Sequence, residues 1–539
     1  MTTTDDGATE AVAPEPTPRD GSGDTVPGAY TFTHRQIQMV LVGLMAGSFL
    51  AALDQTIVAT ALPRIVGDFG GVDRLAWIAS IYLLTSTAAM PIVGKLSDIY
   101  GRRLLFQASI VVFMLGSLMA GLAQTMSQLI AARAVQGLGA GGLVVLNFGV
   151  LADIVAPRER GRYQGYVASV WAVASVLGPL VGGFFVDNLT WRWIFLVNLP
   201  IGVVALVVTS AVLKIPRRER DKVPIDYLGA ALLVAVIVSL LLVTEWGGDR
   251  YEWVSTEIVG LLMIGTLLVA AFVAVEHRAA DPIIPPRLFC IFTVRISAAA
   301  ATVFGMLMFG TILFVPVYFQ IVRGDNATNA GLLLLPQMIG ILTATVVAGR
   351  LTTRTGRYKV FPVVGLSTIA TAYFLLSRID PDTSVWVAIT CMVFAGAGIG
   401  MTTPALMLAV QNVVPTPDVG SATSMMTTVR SMGASVGAAV LGAVLTGRLD
   451  HELASNLGRA ARAIDPALLR GSPEQIATLP ARIQAGVTAS FADALSSVFL
   501  AAVPIALAAL LVVCFLPELP LRTRSEMVEG TGDGAPPIL

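Results

Sequence analysis

The strongest constraint on this chain is the recurrence, along most of its length, of apolar segments about 20 residues long, each able to cross a bilayer core as one helix. Fourteen are expected, at roughly 36–61, 75–96, 104–123, 127–151, 163–186, 193–213, 226–245, 256–275, 296–321, 329–349, 360–377, 384–410, 420–446 and 491–515. Of the 539 residues, 55% are hydrophobic and 13% charged, where a soluble chain would carry about 25% charged residues. The mean hydropathy is +0.77. An all-α polytopic membrane protein follows, and a large soluble core does not.

Connections between segments are mostly short and hold Gly, Pro, Asp or Arg, the residues of turns. With the N-terminus inside, the short inner loops hold eighteen Lys and Arg and the outer loops six. Both termini are therefore expected to be cytoplasmic. Trp77, Trp191, Trp193, Trp246, Trp253 and Trp386 fall at outer span ends, where an aromatic belt sits. Residues 1–33 are acidic and rich in Pro, Thr and Gly with no apolar core, so they read as a disordered tail and not a signal peptide. Cys290, Cys391 and Cys514 lie in or beside separate spans, with neither disulfide nor metal spacing. A net charge of zero gives no reason to expect nucleic acid as a partner.

The chain repeats itself. "GKLSDIYGRRLLF" at 94–106 returns as "GRLTTRTGRYKVF" at 349–361, with five of thirteen positions identical. "GLGAG" at 137–141 matches "GAGIG" at 396–400, and Gly161, Gly178 and Gly183 match Gly420, Gly437 and Gly442. The offsets, 255 and then 259, describe two parallel halves with spans seven and eight inserted between them. The charges are not repeated: Asp98 corresponds to Thr353, Arg133 to Met392 and Gln136 to Ala395. The shared glycines read as packing scaffold, and the unshared charge as chemistry.

These motifs carry a resemblance. "LDQTIVATALP" at 53–63 resembles the first-span motif of the fourteen-span drug:proton antiporters of the major facilitator superfamily, of the multidrug efflux type. "GKLSDIYGRR", "LIAARAVQGLGAGG" at 129–142 and "ASVLGPLVGG" at 174–183 resemble its loop, fourth-span and antiporter motifs. "WRWIFLVNLPIG" at 191–202 and "VPVYFQIVRG" at 315–324 add further marks. The departures are Ala59 and Thr60, where the family usually has Asn and Val, and Ala174, where its antiporter motif starts with Gly.

The resemblance implies a major facilitator fold: a cytoplasmic tail (1–35), a six-helix bundle (36–213), a linker with two added spans (214–295), a second six-helix bundle (296–515) with an outer loop (447–490), and a second tail (516–539). It implies no enzyme and no cofactor beyond a proton gradient. The expected protein is a monomer in the cytoplasmic (inner) membrane of a bacterium. It exports small hydrophobic or amphiphilic compounds, cationic ones included, in exchange for protons by alternating access. Its expected partners are the substrate, protons and the lipid bilayer.

Asp54 is the one carboxylate placed well inside a span, and Arg133 in span four lies at a similar depth, roughly 10 Å below the outer end at 1.5 Å per residue. A charge near the bilayer centre costs at least about 2.5 kcal/mol and normally marks an ion or substrate path. Asp54 and Arg133 are the expected proton-coupling pair, and His34, His277 and His451 lie outside the spans. Gly94, Asp98, Gly101, Arg102 and Arg103 form the expected conformational latch, with Asp98 pairing with its basic neighbours or with a helix N-terminus from the other half. Gly178, Pro179, Gly182 and Gly183 permit close approach and flexing of span five. Gln136, Tyr318, Met306 and Phe309 are candidate cavity residues. Arg430 has two readings, facing the cavity or capping helix ends in the second half.

An ATP-driven pump is disfavoured, since the chain holds no Gly-x4-Gly-Lys-Ser/Thr loop. The Gly-x-Ser-x-Gly pattern around Ser435 lies inside a span with no His in any span to serve as base. The alternative kept open is a proton-coupled exporter of a lipid or glycolipid, with the 447–490 segment handling cargo.

Overall fold

Among the residues from His34 to Leu521, the computed structural model describes all except 70–74, 156, 214–225, 249, 280–281, 326–328, 330–331, 381–382, 416–417, 458–475 and 477–478. Of the expected tails, 1–35 and 516–539, residues 1–33 and 522–539 lie outside the described residues, as do the side chains of Pro179 and Phe309.

The architecture is helical throughout. The first half comprises α1 (His34–Phe69), α2 (Leu75–Tyr100), α3 (Arg102–Gly121), α4 (Met126–Ile154), α5 (Pro157–Asn188), the short α6 (Trp193–Leu196) and α7 (Asn198–Val212). Two inserted helices follow, α8 (Tyr227–Trp246) and α9 (Thr256–Glu276). The second half comprises α10 (Phe292–Val317), α11 (Leu335–Thr355), α12 (Val360–Leu376), α13 (Val385–Val413), α14 (Val419–Leu457) and α15 (Ala481–Cys514). Among the described residues, twelve helices are long and apolar enough to cross a membrane. The fourteen expected segments also include α2 and the shorter apolar α12.

The repeat seen in the sequence is a repeat of packing. A Cβ on Gly137 or Gly141 of α4 would strike the α2 carbonyls of Tyr82 or Ser86, and one on Gly139 would strike α3 at Phe113. At the matched positions of α13, Gly396 and Gly400 abut the α11 carbonyls of Gln337 and Ile341, while Gly398 abuts α12 at Gly365. In each half a glycine-lined helix is thus wedged between the two preceding helices of its half. Backbones without side chains between them gain the close van der Waals contact on which helix association in lipid depends. Gly178 and its match Gly437 do the same for α5 on α1 at Thr56 and for α14 on α10 at Met306.

The described parts of the expected outer loop 447–490 are largely helix, as α14 continues to Leu457 and α15 begins at Ala481. Their extensions meet: Asn456 Nδ2 donates to Ser490 Oγ at 3.1 Å, and Gly486 lies against Leu457. Apolar periodicity stops at the membrane surface, but two paired helices can continue beyond it by packing on each other.

Candidate functional site

Span six is interrupted where Pro200, lacking an N–H, cannot donate to the Leu196 carbonyl four residues back. The break separates α6 from α7 and places Asn198 at the first position of α7. Asn198 faces α1 at Asp54, a residue wholly buried in the first half.

Asp54 accepts three hydrogen bonds from side chains. Arg133 Nη1 donates to Oδ2 at 2.7 Å, while Gln136 Nε2 and Asn198 Nδ2 donate to Oδ1 at 2.7 and 3.0 Å. The donors are held in turn. Arg133 Nη1 also reaches Gln136 Oε1 at 2.7 Å, its Nε donates to the Ile78 carbonyl at 3.2 Å, and its guanidinium lies 4.1 Å from the Tyr82 ring centroid. Gln136 and Asn198 both donate to Ser117 Oγ, at 3.1 and 3.0 Å, and that hydroxyl donates to the Phe195 carbonyl at 2.9 Å. An ion pair removed from water is tolerable only when its remaining lone pairs and protons are met in this way. Arg133 is 2% exposed, so it does not snorkel to the surface.

The antiporter-motif glycine adjoins this site. Thr56, half a turn after Asp54, donates to the Ala174 carbonyl of α5 at 3.0 Å, and Gly178 lies so close that a Cβ would strike the Thr56 hydroxyl. Gly182 is buried and Gly183 half-buried, with open space where a Gly183 Cβ would project.

At the far end of α2, three of the expected latch residues, Gly94, Asp98 and Arg102, lie against α14 of the second half. Arg102 pairs with Asp98 at 2.6 Å and with Asp153 at 3.0 Å, and also donates to Ser97. Asp98 lies against Gly420, in the first turn of α14, where a Cβ would collide with its carboxylate. Gly94 lies against Ser424 of the same helix, and Gly101 supplies the turn with φ of 96°. Arg103 does not join this contact: it donates to the Ser210 carbonyl of α7 at 2.9 Å. A second bridge between halves runs from Arg160 Nη1 to Gln411 Oε1 at 3.0 Å and from Gln411 Nε2 to Thr423 Oγ1 at 3.0 Å. Burial pushes the Arg160 guanidinium down to about 10, against the opposing pull of Asp153.

The described cavity candidates lie in different surroundings. Gln136 is buried in the Asp54 network, because it stands one turn from Arg133 on the same helix face. Tyr318 is buried and donates to the Asp380 carbonyl at 2.8 Å. Met306 is half-buried where α10 meets Gly437. Arg430 is half-buried, with Nη1 3.7 Å from Met308 Sδ. A cavity of about 310 Å³ lies elsewhere, among α2, α8, α10 and α14, near the end of α2 opposite Asp98. Sequence reasoning left Asn198, Ser117, Tyr82 and the cavity residue Glu245 out of the site, although the lone Asn of span six was a visible signal.

Comparison with known proteins places the chain in a family. The Major Facilitator Superfamily model matches residues 44–226 and 227–438. An uncharacterized MFS-type transporter of Mycobacterium tuberculosis (strain ATCC 25618 / H37Rv) is 39% identical over 497 residues, covering 92% of this chain and 72% of that protein. Multidrug resistance protein 3 of Bacillus subtilis (strain 168) is 35% identical over 507 residues, covering 91% and 97%. Among solved structures, that of the human organic anion transporter MFSD10 superposes with a TM-score of 0.60 at 14% identity, covering 87% of this chain and 99% of that one, a likeness of fold. With the family model spanning most of the chain, this protein belongs to the Major Facilitator Superfamily of membrane transporters.

Proposed function

We propose that this protein is a proton-driven antiporter of the cytoplasmic membrane, which exports hydrophobic or amphiphilic compounds by rocking its two halves about the Asp54 site. The observation that carries the reading is the buried Asp54–Arg133 pair, held by Gln136 and Asn198. Multidrug resistance protein 3 of Bacillus subtilis, with its 35% identity, supports a drug-like cargo.

A proton arriving at an Asp54 oxygen cancels the carboxylate charge and weakens the charge-assisted bond from Arg133. Arg133 retains the Ile78 carbonyl and the Tyr82 face as alternative partners. Through Thr56, the same helix α1 is bonded to α5, so a shift of α1 reaches the Gly178 contact directly. With the Asp98 end cytoplasmic, the inner contacts at Gly420 and Gln411 are closed and the cavity lies toward the outside. This arrangement fits the outward-facing limb of an alternating-access cycle, with fourteen spans and both termini inside.

The reading is tested in proteoliposomes by whether a lipophilic dye, added on one side, collapses an imposed proton gradient. Wild type should do so and Asp54→Asn should not. Dependence on sodium with no dependence on the proton gradient would overturn the proton assignment.

A further inference from the structure

Asp54 is poorly placed to meet a cationic cargo, because it is wholly buried and already accepts three hydrogen bonds. A different carboxylate faces open space. Glu245, in the last turn of α8, lines the 310 Å³ cavity together with Trp77 and Ser80 of α2, Leu313 of α10 and Ser435 of α14. The walls therefore come from both halves and from the insertion. The Ser80 hydroxyl donates to Glu245 Oε1 at 2.6 Å, which orients the carboxylate and leaves Oε2 without a protein donor among the described residues. No cation among the described residues pairs with Glu245. The nearby Arg250 lies over the Trp246 and Tyr251 rings, 5.6 Å from each centroid.

We infer that the inserted helix α8 carries a recognition site for the positive end of an amphiphilic cation, with Glu245 as its counter-charge. The inference deepens the transport reading and rests on it for the cargo's onward movement. Three features define the ligand class. A carboxylate with one unbonded oxygen attracts an ammonium or phosphonium centre and repels an anion. Trp77 offers an aromatic surface beside it, backed edge-on by Trp246 at 6.3 Å between ring centroids, and such surfaces favour cations. The remaining lining is largely apolar, with Leu241 and Leu313 among it, and suits a hydrocarbon body. The volume is at the lower end for small-molecule sites, about 300 Å³, and so fits a compact lipophilic amine or onium ion. Because α2 and α14 belong to different halves, a ligand here contacts both rocking bodies at once.

The test is binding of tetraphenylphosphonium and of the neutral dye N-phenyl-1-naphthylamine to the purified full chain in nanodiscs at neutral pH. Glu245→Gln should weaken tetraphenylphosphonium binding by about tenfold or more, the loss of one ionic contact, and leave the neutral dye unaffected. Glu245→Asp should recover part of the affinity, and Ser80→Ala should weaken it less than Glu245→Gln. Asp54→Asn should retain tetraphenylphosphonium binding while losing proton-coupled flux. A Ser80–Glu245 bond that only fastened α8 to α2 would make Glu245→Gln lower thermal stability and affect both probes alike; that result overturns the site, as does wild type failing to bind tetraphenylphosphonium. If binding depends on Glu245 but wild type moves no protons, the site stands and the antiport reading falls.

Discussion

Arg133 and Asp54, 79 residues apart in sequence, meet at 2.7 Å between Nη1 and Oδ2 with almost no solvent contact on either side chain. Removing only one partner of such a pair typically costs about 3–5 kcal/mol, because the other charge stays buried. Arg133→Met alone should therefore lower thermal stability markedly. Adding Asp54→Asn to it should restore part of the loss. A double-mutant cycle on detergent-purified protein measures the coupling, and strictly additive effects would contradict the pairing.

The Gly178–Thr56 contact leaves no room for a methyl group on α5. Gly178→Ala should separate α1 from α5, and Gly178→Val should reduce transport by about tenfold or more, by analogy with overpacking costs of about 1–3 kcal/mol. Gly183→Ala, which projects into open space, should transport nearly as wild type. Initial efflux rates at matched protein levels compare the three, and equal loss at both positions would contradict the contact argument.

Asp98 of α2 lies against the first turn of α14, in the other half. Replacing it by Ala removes negative charge from a helix N-terminus, worth about 0.3–1 kcal/mol or more in a partly buried setting. Ser424→Cys, introduced after replacement of Cys290, Cys391 and Cys514, should be labelled by a maleimide faster when Asp98→Ala is also present. Arg103→Ala should change labelling little, since Arg103 bonds within the first half.

The Arg160–Gln411 bridge should be insensitive to pH across the physiological range. Its guanidinium is shifted down only to about 10, so below that value it is charged in both folded and unfolded chains and contributes no proton linkage. Above about pH 10 the folded protein loses the proton first, and the burial penalty falls as pH rises. In an Asp54→Asn background, Ser424→Cys labelling, divided by that of the unfolded chain at the same pH because a maleimide reacts with the thiolate, should accordingly be flat between about pH 6 and 8.5.

The sequence was most legible where one residue type acts alone. Small residues at matched offsets, Gly137 with Gly396 and Gly178 with Gly437, announced the repeat because only glycine allows those backbones to touch. Asp54 and Arg133 announced themselves by their cost in lipid. Roles that depend on docking between distant elements were hidden. Gln136 was a cavity candidate in the sequence, where its bond to Asp54 could not be seen. Glu245 stood outside the site in the sequence, and it lines a cavity because α8 rests beside α2 and α14. The Asn198 contribution required the break at Pro200 to turn its side chain toward α1.

Uphill export of a lipophilic dye from proteoliposomes under an imposed proton gradient tests the account most directly, with Asp54→Asn beside wild type. The account predicts that wild type concentrates dye against its gradient and that Asp54→Asn only equilibrates it downhill. Uphill export with intact proton flux in Asp54→Asn would contradict it.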